Sequence, residues 1–152
     1  MSANTQAIYG LTPNVSAVQF GSAALTKSDG SSGVVGLGTD IFKAFTAGAN
    51  GSFVEKIRII PVATAAATAT SPTVHRIYVS SVTSGVTANT NTFLIAEIGA
   101  AAQTADHSTN AIFFFEIPLN IKLQTGWFIH VSTHVVNANN TNWTAVVFGM
   151  DF

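Results

Sequence analysis

The chain contains no cysteine, which excludes disulfide staples, thiolate metal sites and thiol redox chemistry. It must therefore hold together through its core, and 152 residues suffice for one domain without metals or cross-links. Charge is also scarce. Asp, Glu, Lys and Arg make up 9% of the residues, against about 25% in ordinary soluble domains. Six cations and seven carboxylates leave a formal net charge of −1, so there is no electrostatic footprint for nucleic acid. No apolar run reaches the roughly 18 residues of a membrane-spanning helix, and no membrane partner is expected. Met1 to Gly10 lacks a basic segment followed by an apolar one, so no secretory signal is expected there. Walker, dinucleotide-binding and Gly-x-Ser-x-Gly motifs are all missing; Gly33-Val-Val-Gly-Leu-Gly38 is glycine-rich but has no Lys-Ser/Thr after it.

Helix signals are nearly missing as well. The alanine-rich stretches Val62 to Thr70 and Ala100 to Ala105 are short, interleaved with threonine and without a stripe at 3.6 spacing, so they read as loops. What the chain does have is alternation at period two. In Phe53 to Ala63, Phe53, Glu55, Ile57 and Ile59 share one face, and Val54, Lys56, Arg58 and Ile60 the other. The paired charges place Ile57 and Ile59 toward a core. Ile41 to Ala47 sets Ile41, Lys43 and Phe45 against Phe42 and Ala44. Thr73 to Ser81 sets His75, Ile77 and Val79 against Val74, Arg76 and Tyr78. Trp127 to Val136 sets Trp127, Ile129, Val131, Thr133 and Val135 against Phe128, His130, Ser132, His134 and Val136. Asn91 to Gly99 is rich in apolar and branched residues, and Val15 to Ser22 alternates weakly. Ile112 to Ile117 is almost continuously apolar, which predicts cover on both faces, and Trp143 to Phe152 closes the chain as a strand. Gly48-Ala-Asn-Gly51 and Gln124-Thr-Gly126 read as tight turns, and Asn137 to Asn142 as an asparagine-rich hairpin tip. The expected fold is an all-β antiparallel sandwich or jelly roll of about eight strands, spanning 41–152. Residues 1–40 are more polar, and two descriptions fit them: an arm that orders on assembly, or an edge strand with a loop.

Candidate chemistry is thin. His130 and His134 share a strand face but lie about 13 Å apart in an extended chain, too far for one metal, and His75 and His107 lie on other segments. Neither a metal nor a cofactor is expected. Ser132 lies about 7 Å from each neighbouring histidine, beyond a hydrogen bond. Glu97 and Glu116 are the one carboxylate pair within apolar strands, and a glycosidase would need them facing each other at a fixed separation. No positioned acid–base set accompanies them, so an enzyme is not expected. The Asn-x-Ser/Thr triplets at Asn14, Asn50, Asn139 and Asn142 have meaning only in a secretory pathway.

With few charges, the surface consists mainly of Ser, Thr, Asn, Gly and Ala, and it has little colloidal protection as a free monomer. That favours cover by other subunits. Phe128, His130, His134, Phe148 and Phe152 are the candidate contact residues. A competing expectation is a carbohydrate- or receptor-binding loop carrying Asn139, Asn140 and Trp143.

The run Ile41-Phe-Lys-Ala-Phe-Thr-Ala-Gly-Ala-Asn-Gly-Ser-Phe-Val-Glu-Lys-Ile-Arg-Ile59, the segment Gln124-Thr-Gly-Trp-Phe-Ile-His-Val-Ser132 and the aromatic ending Val147-Phe-Gly-Met-Asp-Phe152 resemble small virion structural proteins of tailed bacteriophages. The resemblance runs from about Asp40 to Phe152 as a pattern of strands and turns. It implies a jelly-roll capsid decoration (cement) protein, or part of a head or tail fibre. It also implies a homotrimer located in the virion, with the major capsid protein or other virion proteins as partners.

Overall fold

The computed structural model describes residues 12–21, 41–63, 68–83, 90–105, 113–135 and 141–152. The two-residue periodicity becomes ten strands: β1 (Thr12–Phe20), β2 (Phe42–Thr46), β3 (Ser52–Ala63), β4 (Thr68–Ala69), β5 (Thr73–Ser80), β6 (Thr92–Ala100), β7 (Thr104–Ala105), β8 (Phe115–Leu123), β9 (Phe128–Thr133) and β10 (Thr141–Asp151). Two four-stranded antiparallel sheets form, ordered β1-β10-β3-β8 and β2-β9-β5-β6, while β4 and β7 pair as a small ribbon. Among the eight long strands, first pairs with last, second with seventh, third with sixth and fourth with fifth. This nested pairing is the jelly-roll wrap. The expected sandwich is therefore present, and it begins earlier than residue 41. Thr12–Phe20 is an edge strand in register with β10 from Thr12↔Asp151 to Phe20↔Trp143. Its inward positions alternate down to the buried Phe20, which gives this segment an apolar anchor that a free arm would lack.

The core lies between the sheets. Val54, Ile57 and Ile59 from β3, Trp143, Ala145 and Val147 from β10, Ile77 from β5 and Ile129 and Val131 from β9 are its fully buried centre. Ile57 and Ile59 point inward as expected. Val54 joins them because β3 carries one extra residue, Glu55, against β10, which turns the chain over between Val54 and Lys56. A bulge of this kind displaces one side chain and switches the face of everything beyond it. The same device operates at Ala44 in β2, so that Phe42, Ala44 and Phe45 all reach the core instead of splitting between two faces.

Both predicted turns form. Gly51 N–H donates to the Gly48 carbonyl at 3.0 Å, and Trp127 N–H donates to the Gln124 carbonyl at 3.1 Å. Gly51 (φ +89°) and Gly126 (φ +75°) occupy the left-handed region that glycine adopts without a Cβ penalty.

Three sequence expectations are overturned here. The alanine-rich stretches expected as loops contain β4 and β7, which pair antiparallel through Thr68↔Ala105 and Ala69↔Thr104. Residues 113–117 are not covered on both faces: Phe113 and Phe114 are exposed, and β8 alternates between half-buried and exposed positions. The strand lies at the edge of its sheet, and only the Lys56 and Arg58 side chains reach over its outward face among the described residues. Conversely, every residue of β9 is buried. It sits between β2 and β5, and its outward face is screened by neighbours: Val82 reaches His130, and Lys43 lies over the Phe128 ring.

Candidate interaction surface

The two sides of the sandwich are closed differently. On one side, β1 is bound to β2 across the gap between sheets: Asn14 Nδ2 donates to the Thr46 carbonyl at 3.2 Å, and the Ser16 hydroxyl donates to the Ala44 carbonyl at 2.6 Å. At the end of that seam, Asn14 Nδ2 and the Ser52 hydroxyl both donate to Asp151 Oδ1. On the other side lie the edge strands β6 and β8. A cleft of about 300 Å³ opens there, lined by Val79, Ile95, Ile121, Leu123 and Trp127 with Lys122 and Gln124 at its rim.

β6 forms one lip of that cleft. Phe93, Leu94 and Ile95 are exposed to 39%, 45% and 39%. Three consecutive apolar residues reach solvent because β6 carries one extra residue, Ile95, opposite the Ile77–Tyr78 step of β5. Phe93 pairs with Val79 and Leu94 with Tyr78, so the strand presents apolar side chains to both faces at once. Its one charge, Glu97, is held by Arg76 Nε at 2.6 Å. An apolar edge with its charge neutralised within the chain is the type of strand edge that natural proteins normally protect.

The outer face of the β1-β10-β3-β8 sheet carries most of the remaining charge. Glu116 accepts from Lys56 Nζ at 2.8 Å and from Arg58 at 2.7 and 3.0 Å. These contacts, Lys56 first, hold its carboxyl below the ordinary range. The Arg58 guanidinium lies 4.5 Å from the Phe114 ring centre and 5.6 Å from that of Phe148. Lys56 and Arg58 share the Glu116 carboxylate, and Lys122 lies over the Phe152 ring, so the patch keeps a small positive excess.

Two of the sequence-derived contact candidates are interior. Phe128 is buried, and His130 is 1% exposed, its Nε2 lying 3.1 Å from the Val82 carbonyl. Burial pushes the His130 pKa down, against a smaller upward pull from that carbonyl. Neither residue has surface to offer a partner, because β9 is a central strand. His134 is exposed; Phe148 and Phe152 are half-buried, with Phe148 under Lys56 and Arg58. Trp143 is not on a loop: it is fully buried in β10 against His75, so it cannot stack on a sugar. Asn139, Asn140 and His107 lie outside the described residues. Trp127 and Trp143 begin two consecutive strands in sequence and could have met at one end of the sandwich; instead Trp143 packs on His75 and Trp127 shares the cleft with Val79. Those two partners are four positions apart along β5, about 13 Å.

Catalytic arrangements fare no better. Glu97 and Glu116 project from the outer surfaces of different sheets, each paired to cations in its own sheet, so they do not face each other. The Ser132 hydroxyl lies 3.2 Å from the Tyr78 hydroxyl, away from either histidine. Among the described residues no group of three His, Asp or Glu side chains is placed to hold a metal ion. The chain matches no known protein family, and comparison with curated proteins and with solved structures finds no significant similarity.

The residues that sequence reasoning missed are Phe93, Leu94 and Ile95. Their signal was visible as three apolar neighbours inside a strand, which alternation cannot bury on one face.

Proposed function

We propose that this chain is a virion structural protein of the capsid decoration type, which associates with copies of itself and clamps neighbouring shell subunits. The observation that carries this reading is the apolar lip Phe93-Leu94-Ile95 beside an open cleft, on a protein with 9% charged residues. An edge of this kind is a liability for a free monomer and an asset for a subunit that is always covered. Attachment of this sort works by apolar burial repeated over a symmetric shell. A contact of standard size removes about 1,600 Å² from water, and several such contacts engaged together multiply into strong net attachment. Ion pairing between subunits is not required, in keeping with carboxylates such as Glu97 and Glu116 already spent inside the chain.

The test is whether particles purified from the organism that encodes the chain contain it. The expected result is stoichiometric presence in intact particles and its release by chaotrope with reduced shell stability. Its absence from particles would overturn the proposal. The surface itself is tested by Leu94→Lys combined with Ile95→Lys in the purified protein. Both side chains are exposed, so folding should persist by circular dichroism while self-association, followed by sedimentation velocity across a concentration series, weakens at least tenfold. An unchanged association constant would exclude β6 as the contact.

A further inference from the structure

Among the described residues, His75 is the one ionisable side chain placed between the two sheets in the aromatic part of the core. It belongs to β5, and its ring meets three aromatic rings of the opposite sheet. Trp143 of β10 is at 4.4 Å between ring centres, Phe20 of β1 at 5.5 Å and Phe115 of β8 at 6.2 Å. It is fully buried, and neither Nδ1 nor Nε2 has a hydrogen-bond partner. A neutral imidazole fits such a cage as an aromatic ring. An imidazolium does not, because it carries two N–H donors and a charge into a place with no acceptor.

Among the described residues no carboxylate faces this ring. Among the described residues, β1 carries no titratable side chain. Glu116 and Lys122 of β8, Glu97 of β6, Glu55, Lys56 and Arg58 of β3 and His130 of β9 stand on the outward faces of their sheets or at the rim. Arg76 and Tyr78, on β5 itself, point away from the core, and Asp151 of β10 lies at the opposite end beside Ser52. The Thr73 and Thr133 hydroxyls, nearest in register, are bonded to each other at 2.8 Å.

We propose that His75 is an acid-operated release between the sheets: proton uptake at this ring separates them at the Phe20–Phe115–Trp143 end, opening the sandwich from within. Burial holds the folded-state pKa at about 4, below the ordinary 6.5. The unfolded or opened chain therefore binds the proton more readily throughout that interval. Closure is at full strength above pH 6.5 and is lost as the pH falls toward 4. From this group alone the opening equilibrium constant should rise roughly 100-fold between pH 7 and pH 4. The proposal does not rest on the virion reading, although an assembled shell protein would inherit the same acid sensitivity.

The experiment measures urea-unfolding equilibria of the full chain at pH 7, 6, 5 and 4 by tryptophan fluorescence, for wild type, His75→Phe, His75→Leu and His130→Gln. In parallel, the His75 ring proton is titrated by NMR. The expected result is an acid-induced loss that shrinks at least 30-fold in His75→Phe or, should that variant not fold, in His75→Leu, and persists in His130→Gln. The proposal is overturned by an unchanged pH dependence in the folded His75 variant, by an equal effect of His130→Gln, or by a His75 resonance titrating at pH 6 or above in the native protein. Should neither His75 variant fold, the native His75 titration alone decides.

Discussion

Replacing Trp143 by alanine is expected to destabilise the protein by about 3–5 kcal/mol, the range for removing a large aromatic from a core. The indole is the largest of the fully buried side chains and touches His75 and Phe115. Its N–H has no hydrogen-bond partner, so nearly all of its contribution is packing. The vacated space lies between the sheets, where β10 is held on both sides by β1 and β3 and is poorly able to collapse inward. Domains of this size have only about 5–15 kcal/mol in total, so the variant should lose a large part of its margin. Urea unfolding followed by far-ultraviolet circular dichroism gives the value directly. A loss below about 1 kcal/mol would mean that Trp143 is not the keystone of this end of the core. The cavity also adjoins His75, so Trp143→Ala and His75→Phe should be non-additive in a double-mutant cycle.

The second large effect is expected at Gly51. A Cβ there would stand 2.6 Å from the Leu123 carbonyl oxygen, at a residue whose φ is +89°. Left-handed strain costs about 1–3 kcal/mol, and forcing atoms into a packed site costs a further 1–3 kcal/mol or so. Gly51→Ala should therefore cost about 2–6 kcal/mol. Gly126 provides the control, since its φ is +75° but a Cβ there meets nothing within 4 Å. Gly126→Ala should cost only the backbone component. The difference in urea midpoint between the two variants measures the close approach of the β2–β3 turn to the end of β8. Equal losses at both positions would assign the whole effect to backbone conformation.

The eight long strands, most of their inward residues and the tight turns were legible in the sequence, because a period of two is written directly into which side chains are apolar; the two-residue strands β4 and β7 were not, lying in stretches that read as loops. Ile57 and Ile59, Ile129 and Val131, and His75, Ile77 and Val79 all face the core that their alternation specified. The register shifts were not legible. Three insert one residue, at Ala44, Glu55 and Ile95, a fourth lies in β8 beside Asn120, at φ +50°, and the placement of each depends on the neighbouring strand as much as on its own. The interior position of Phe128 and His130 was hidden for a related reason. Their face of β9 looks half-polar in sequence, and only the strand order, with Val82 and Lys43 arriving from elsewhere, shows that it is covered. The sequence starts a strand at Trp143, while the competing ligand-loop reading set it on a loop beside an asparagine-rich tip; its pairing with Phe20 and Pro61 places it two residues inside β10. The β6 lip followed from the sequence in part: its apolar content was plain, but its place at the edge was a matter of topology.

The nested pairing of strands has a kinetic consequence. Among the described residues β1 finds its one sheet partner in β10, and two side chains that bond across this pair, Asn14 and Asp151, stand 137 positions apart. A chain emerging from the ribosome can zip β5 onto β6 early, then add pairs outward, but the first strand must wait, unpaired, for the last. Search time of this kind grows with the separation of the residues that must meet, which places this protein among the slow, millisecond-to-second folders. During that wait Val15 and the rest of β1 are available to a neighbouring polypeptide, so crowding during synthesis favours exchange of this strand between molecules.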